Sequence, residues 1–471
     1  MPTEIRTPRM MSRRDVLSLA GLAAAGALAS SGPAFSQTPP AGGGEVIKEL
    51  GSYLAHTGAK GEILFPNAWG GDRIPLMEQQ IKDFNAFYPG IKIQNDPLRA
   101  PDLEKKTLSA LAGGSPPPVF MLLSNQIPAY VEQNALQPLD DLIARDGLKV
   151  DDVFYPGEIA THRYRGKTYS LPNVTAGAWH FVCYHKALLK QACFDPNRGP
   201  DTWEDLEKMA DAVKAKIPGA YFLEPSHCFS HPAFLVFLYG NAGEFISADM
   251  RKVTFNGPEG LETFEWIVQF AKRQARNGKF EEFADRTVSI RDSNTTPVIV
   301  SGKYVSAIAT SAVWFQVRKT APDKEFGVTI FPYNKRNPRA KPRTPVHGGW
   351  GFVIPRGISG DTLQAAWEWI KYITAGEGNR KFVGAQDRPS PVKAYNSNPE
   401  AIKRNPYWSV LLKDFEINAA IPVTGVHPRL LDIVAAMQEE ALFEKTPPKV
   451  ALQKAAEECQ KVLDGWWAKQ K

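Results

Sequence analysis

The chain has 471 residues, 43% hydrophobic and 23% charged, with a formal net charge of +6. That length is more than one ordinary core organises and predicts two lobes, and acidic residues interspersed with basic ones, as over 208–216, argue against the one-sided basic face of a nucleic-acid binder. Four cysteines, Cys183, Cys193, Cys228 and Cys459, are too few for a disulfide scaffold and leave room for one bridge, with Cys183 and Cys193 as a candidate pair.

Taken from the N-terminus, paired Arg13 and Arg14 introduce a largely apolar run over 16–29, and Ala34 and Ser36 supply the small residues of a cleavage site. Residues 1–36 therefore read as a cleavable export signal. The run is shorter than the roughly 18 to 20 apolar residues of a membrane-spanning helix. SRRDVL resembles the bacterial twin-arginine signal, with Val16 where that pattern favours Phe, so export to the periplasm is expected. The Pro- and Gly-rich stretch 38–44 lies in a flexible segment over 37–61.

Beyond it, 62–66 reads as a strand and 67–73 as a loop, and Leu76, Ile81, Phe84 and Phe87 form a helical stripe. Residues 91–93 return to strand, 103–112 are helical, 119–123 form a buried strand and 127–133 are helical again. This alternation predicts a mostly parallel sheet covered by helices, with ligand loops at the strand ends, 67–73 and 124–126. Asp201 or Thr202 caps a helix over 202–216, with Glu204 and Asp205 at its positive end. Helices follow over 234–239, 261–275 and 362–374.

The ordered strings resemble the extracellular solute-binding proteins of bacterial ABC importers, in the large group that includes the maltose-binding proteins. GEILFPNAWGGDRIPLMEQQIKDFNAFYPGIKI is similar to that family's first strand, ligand loop and helix, and LSALAGGSPPPVFMLL to its next helix, turn and strand, with Pro118 in place of a usual Asp. GKTYSLPNVTAGAWHFVCYHKALL, PDTWEDLEKMA, SGKYVSAIATSAVWFQV, EFGVTIFPY, GGWGFVIPRG and AAWEWIKYITAGE follow in family order. The resemblance implies a two-lobed α/β periplasmic-binding-protein fold, type II-like, whose discontinuous lobes are joined by hinge strands. Lobe one would span 62–171 and 330–383, and lobe two 172–329 and 384–471 with the C-terminal helices. It also implies a monomer that takes a carbohydrate or polyol to an inner-membrane ABC permease, without cofactor or metal.

Carried onto this chain, the resemblance puts Asp72 and Arg73 at loop positions that contact sugar hydroxyls, where the other reading is a solvated charge or helix cap. Trp69 in the same loop offers a stacking surface or packs beneath the helix. Asn125 and Gln126 replace a charged pair in the second ligand loop, and Asn173, Thr175 and Trp179 fall at the crossover, as cleft residues or hinge support. Glu224 resembles a maltose-site Glu, with Ser226, His227 and His231 within reach of a ligand. His227, Cys228 and His231 also raise a zinc reading, weakened by Pro232, which starts a helix and leaves both histidines in a loop. Trp314 and Trp350 are read as aromatic platforms, the latter between Gly349 and Gly351, which permit close backbone approach. His427 and Arg429 are further cleft candidates or helix caps, whereas Trp367, Trp369, Trp466 and Trp467 look like packing residues.

The competing reading is a secreted enzyme acting on carbohydrate, with Asp72 and Glu224 as its paired carboxyl groups. No nucleophile-elbow, zinc-protease or dinucleotide motif supports it. A non-sugar solute such as glycerol phosphate, a polyamine or an organic anion is the alternative within the binding-protein reading.

Overall fold

The computed structural model describes residues 58–175, 180–228, 231–284, 298–346, 348–397 and 399–470, so the expected signal, the 38–44 stretch and Trp179 lie outside the described residues. Strand β1 (Gly61–Asn67) runs into helix α1 (Arg73–Phe87) and returns as β2 (Ile91–Pro97), parallel to β1 with Gly61 opposite Ile91. Helix α2 (Ala100–Ala112), strand β3 (Phe120–Leu123) and the short helix α3 (Ile127–Glu132) follow in the expected order. The α1 stripe buries Met77, Ile81 and Phe84, while Phe87 at its end is 55% exposed.

After β4 (Ser170–Pro172) the chain enters a second body. Strand β5 (Phe181–His185) is the centre of an antiparallel sheet. Helix α4 (Trp203–Lys216) begins at Thr202, whose side chain accepts from the Asp205 amide at 3.2 Å while the Asp205 carboxylate accepts from the Thr202 amide at 3.1 Å. This reciprocal cap settles the start of the helix on Thr202 rather than Asp201. Helices α5 (Ala233–Tyr239) and α6 (Pro258–Gln274) fill the core behind the sheet. Strands β6 (Ser306–Ala309) and β7 (Phe326–Ile330) flank β5, separated by helix α7 (Ser311–Thr320).

The return to the first body follows β8 (Thr344–Val346), and β9 (Trp350–Val353) inserts between β3 and β4, antiparallel to both. Helices α8 (Gly360–Thr374) and α9 (Glu377–Gly384) complete that body. Strand β10 (Asn418–Ala420) pairs in parallel with β8, and helices α10 (His427–Leu442) and α11 (Pro448–Ala468) cover the second body. Phe65, Phe84, Phe352, Trp367 and Trp369 belong to the first core, and Trp203, Phe237, Phe264, Leu430 and Leu452 to the second.

Several expectations need correction. Parallel pairing among the described strands is confined to β1 with β2 and β8 with β10: β9, returning from the other lobe, enters antiparallel to β3 and β4, and within the second body β6 and β7 run antiparallel to β5. Phe331 packs in the second core and Val392 in the first, so both crossings fall later than 330 and 383. Cys183 and Cys193 are free thiols, one buried and one exposed, and do not bridge. Among the described residues no helix is long and apolar enough to cross a membrane.

Candidate solute-binding site

A cavity of about 650 Å³ opens between the two bodies. Its first wall comes from α2, β3 and the single 3-10 turn Ser124–Gln126 that joins β3 to α3. That turn is held against β9: the Ser124 amide donates to the Gly349 carbonyl at 2.9 Å, and the Gly349 amide donates to Ser124 Oγ at 3.1 Å. Gly348 makes the approach possible, since at its φ of +144° an added Cβ would lie 2.7 Å from the Asn125 amide nitrogen.

Asn125 and Gln126 both line the cavity. Asn125 is 9% exposed, and its buried Oδ1 has no hydrogen-bond partner among the described residues, which makes it a ready acceptor for a solute hydroxyl. Gln126 Nε2 donates to Glu104 Oε1 at 3.2 Å, orienting the amide from α2. Trp350, partly exposed at the start of β9, also lines the cavity, and its ring lies 6.4 Å from that of Trp69. The close backbone approach beside Trp350 is to protein rather than solute: a Cβ on Gly351 would sit 2.6 Å from the His162 ring.

The opposite wall is Ser226 with Leu431, Gln438 and Phe443, the last three from α10 and its end. Ser226 is fixed by Glu224, which accepts from its hydroxyl and, at 3.1 Å, from its amide. Gln438 braces the same loop, donating to the Ser226 carbonyl at 2.8 Å and accepting from the Phe234 amide at 2.8 Å. Glu224 thus positions Ser226 and does not line the cavity itself. Residues 227–228 pair with 231–232 as a short antiparallel loop, and the His227 and His231 side chains lie outside the described residues. Among the described residues no group of three or more His, Cys, Asp and Glu could hold a metal ion.

Other sequence candidates lie elsewhere. Trp69 is 2% exposed and packs 5.3 Å from the Phe382 ring, while Arg73, 7% exposed, sits 5.1 Å over the Trp69 ring. Asp72 forms an ion pair with Lys319 of α7, joining the two bodies at the surface. Asn173 and Thr175 are fully buried, and Asn173 Nδ2 donates to the Ile373 carbonyl at 2.5 Å, as structural support for the crossover. Trp314 is 3% exposed, with its ring against Tyr407 at 5.5 Å and its Nε1 donating to Asn405 at 3.4 Å, so it packs in a core instead of lining the cavity. Arg429 pairs with Glu458 at 3.4 Å on the outer surface of α10 and α11, away from the cavity. His427 is fully buried, which pulls its pKa down to about 4. The carboxyl pair of the enzyme reading is not assembled: Asp72 is engaged by Lys319, Glu224 by Ser226, and neither lines the cavity.

Sequence reasoning missed Glu104, Leu431, Gln438 and Phe443 as wall residues. Gln438 is 4% exposed on the buried face of α10, and a polar residue within an apolar helix stripe carries no sequence signal of the wall it joins.

Two lobes with separate cores, crossing strands and a cavity between them define a solute-binding protein. The profile of the bacterial extracellular solute-binding proteins matches residues 79–407, and the chain belongs to that family, the solute-capturing components of ABC importers. It is 23% identical over 443 residues to the sn-glycerol-3-phosphate-binding periplasmic protein UgpB of Shigella dysenteriae, covering 87% of this chain and 97% of that one. Its fold is similar to an ABC transporter solute-binding protein of Thermotoga lettingae solved with α-D-tagatose (TM-score 0.71, 21% identity, 85% of this chain and 99% of that one). It is also similar to the GacH receptor of Streptomyces glaucescens, solved unliganded and with acarbose (TM-score 0.72, 19% identity, 86% and 99%).

Proposed function

We propose that this chain is exported to the periplasm through the twin-arginine route, captures a carbohydrate or polyol between its lobes as a monomer, and presents the closed form to its permease without catalysing a reaction. The observation that carries the reading is the convergence of Asn125, Gln126 and Trp350 from one lobe with Ser226 and Gln438 from the other on a single 650 Å³ cavity. A few placed polar groups and an aromatic surface in a mostly apolar cleft are what orientation of a hydroxylated solute requires. Contacts made to both lobes exist only when the lobes are close, so the solute's differential affinity shifts the population toward the closed form.

The signs of the relatives' chemistry support this class: tagatose and acarbose accompany the solved neighbours, and glycerol 3-phosphate the curated relative. The test is a thermal-shift panel of tagatose, acarbose and sn-glycerol 3-phosphate. A solute at one hundred times its Kd adds about 2.7 kcal/mol to the folded state. Asn125→Ala is expected to reduce the shift from the same probe with little change in the unliganded melting temperature. A full shift in that variant would remove the cavity from the account.

A further inference from the structure

A buried guanidinium beyond the Trp350–Trp69 contact points to the charge of the solute. Arg388 follows α9 through a turn at Asp387, whose φ is +48°, and is 4% exposed. Its Nε donates to Ser311 Oγ at 3.0 Å, which puts the guanidinium at the N-terminus of α7. Thr310 caps that helix by accepting from the Val313 amide at 3.2 Å, and the helix dipole adds positive potential at the same end.

Among the described residues no carboxylate answers this charge. Asp387, next in sequence, is turned to Arg404 at 2.8 Å and Arg318 at 3.4 Å, and Asp72 is turned to Lys319. The charged group that acts on Arg388 is Arg73, of the same sign; burial first, and Arg73 second, pull the Arg388 pKa from its ordinary 12.5 down to about 9. Nearby Trp69, which carries Arg73 over its ring, has a buried Nε1 with no hydrogen-bond partner among the described residues. A buried cation beside a like charge is costly unless an anion joins it.

We infer that Arg388, Ser311 and the α7 N-terminus, with the charge of Arg73, form an anion subsite, so that the solute is a polyol or sugar bearing a phosphate or carboxylate group. The inference rests on the interlobe reading: Arg73 lies over the Trp69 ring, and that ring is 6.4 Å from the ring of Trp350, which lines the cavity. The planar guanidinium supplies paired donors that match either oxyanion, and the helix end supplies further N–H groups.

The test uses calorimetric titration with probes paired by charge: sn-glycerol 3-phosphate against glycerol, and galacturonate against galactose. In the wild-type protein the charged member of one pair should bind at least about tenfold more tightly than its neutral partner, the size of one charge-assisted contact. Whichever pair discriminates tells phosphate from carboxylate. Arg388→Gln should lose about tenfold or more for that charged probe, and Arg388→Lys should retain part of the preference. If Arg388→Gln does not fold, Ser311→Ala removes only the hydroxyl that orients Arg388 and should weaken the charged probe about threefold while leaving the neutral one unchanged. Equal affinity for charged and neutral members, or undiminished binding of the charged probe in the variants, overturns the anion subsite. Binding of neutral sugars alone does the same while leaving interlobe capture intact, whereas a solute that binds without any effect from Asn125→Ala contradicts the cavity reading instead.

Discussion

Trp314 and Trp350 carry the same indole and the same expectation of an aromatic platform, yet one packs in a core and the other stands at the cavity wall. Trp314 lies on α7, and with Val317 three residues on it faces Phe181, Ala309 and Val328 of the sheet that α7 covers. Helical spacing therefore turns the indole inward. Trp350 opens a strand and shares its face with Phe352. Phe352 is fully buried, whereas Trp350 lies one strand step beyond and emerges at the cavity. The position along an element, more than the residue type, decides which aromatic ring a solute can meet.

The largest effect that sharpens this contrast is on stability. Trp314→Ala removes a buried indole and should cost about 3–5 kcal/mol, read from urea unfolding, with solute affinity of the remaining folded protein unchanged. A loss of affinity without loss of stability would move Trp314 back to the site.

Acid should weaken the scaffold under Trp350 next. His162 is fully buried against Gly351 and pairs with Ser170, and burial holds its pKa down to about 3. The folded state keeps this ring neutral while the unfolded chain protonates near pH 6.5, so the stability it supports is present above that pH. It falls as pH drops from about 6.5 toward 3, by up to about 1.4 kcal/mol per pH unit. His427, held down to about 4 by burial, adds a second such slope over a narrower window. Unfolding midpoints measured from pH 7 to 4 should show a shallower decline in His162→Gln than in the wild type, and an unchanged slope would assign the acid loss to other groups.

Much of the fold was legible from period and punctuation. The β1-to-α3 succession, the Thr202 cap and the helix α8 follow from local patterns that fix backbone geometry within a few residues. The strand directions were not, because β9 joins β3 and β4 from a segment about two hundred residues away, a pairing no local pattern encodes. Among the cavity-lining residues, Asn125 and Gln126 could be read from a loop at a strand end, Ser226 from the resemblance of its loop and Trp350 from its flanking glycines. Gln438 and Arg388 could not: one sits in an apolar helix face and the other in a surface-like string, and each acquires its meaning only from a partner distant in sequence.

The most direct test of solute capture between the lobes is paired titration and unfolding of Trp350→Ala with the probe that shifts the wild-type protein most. Loss of the aromatic wall should weaken binding about tenfold, some 1.4 kcal/mol, with a smaller loss of stability than Trp314→Ala produces. Wild-type affinity in Trp350→Ala would contradict the account, because a solute held in this cavity cannot be indifferent to its aromatic wall.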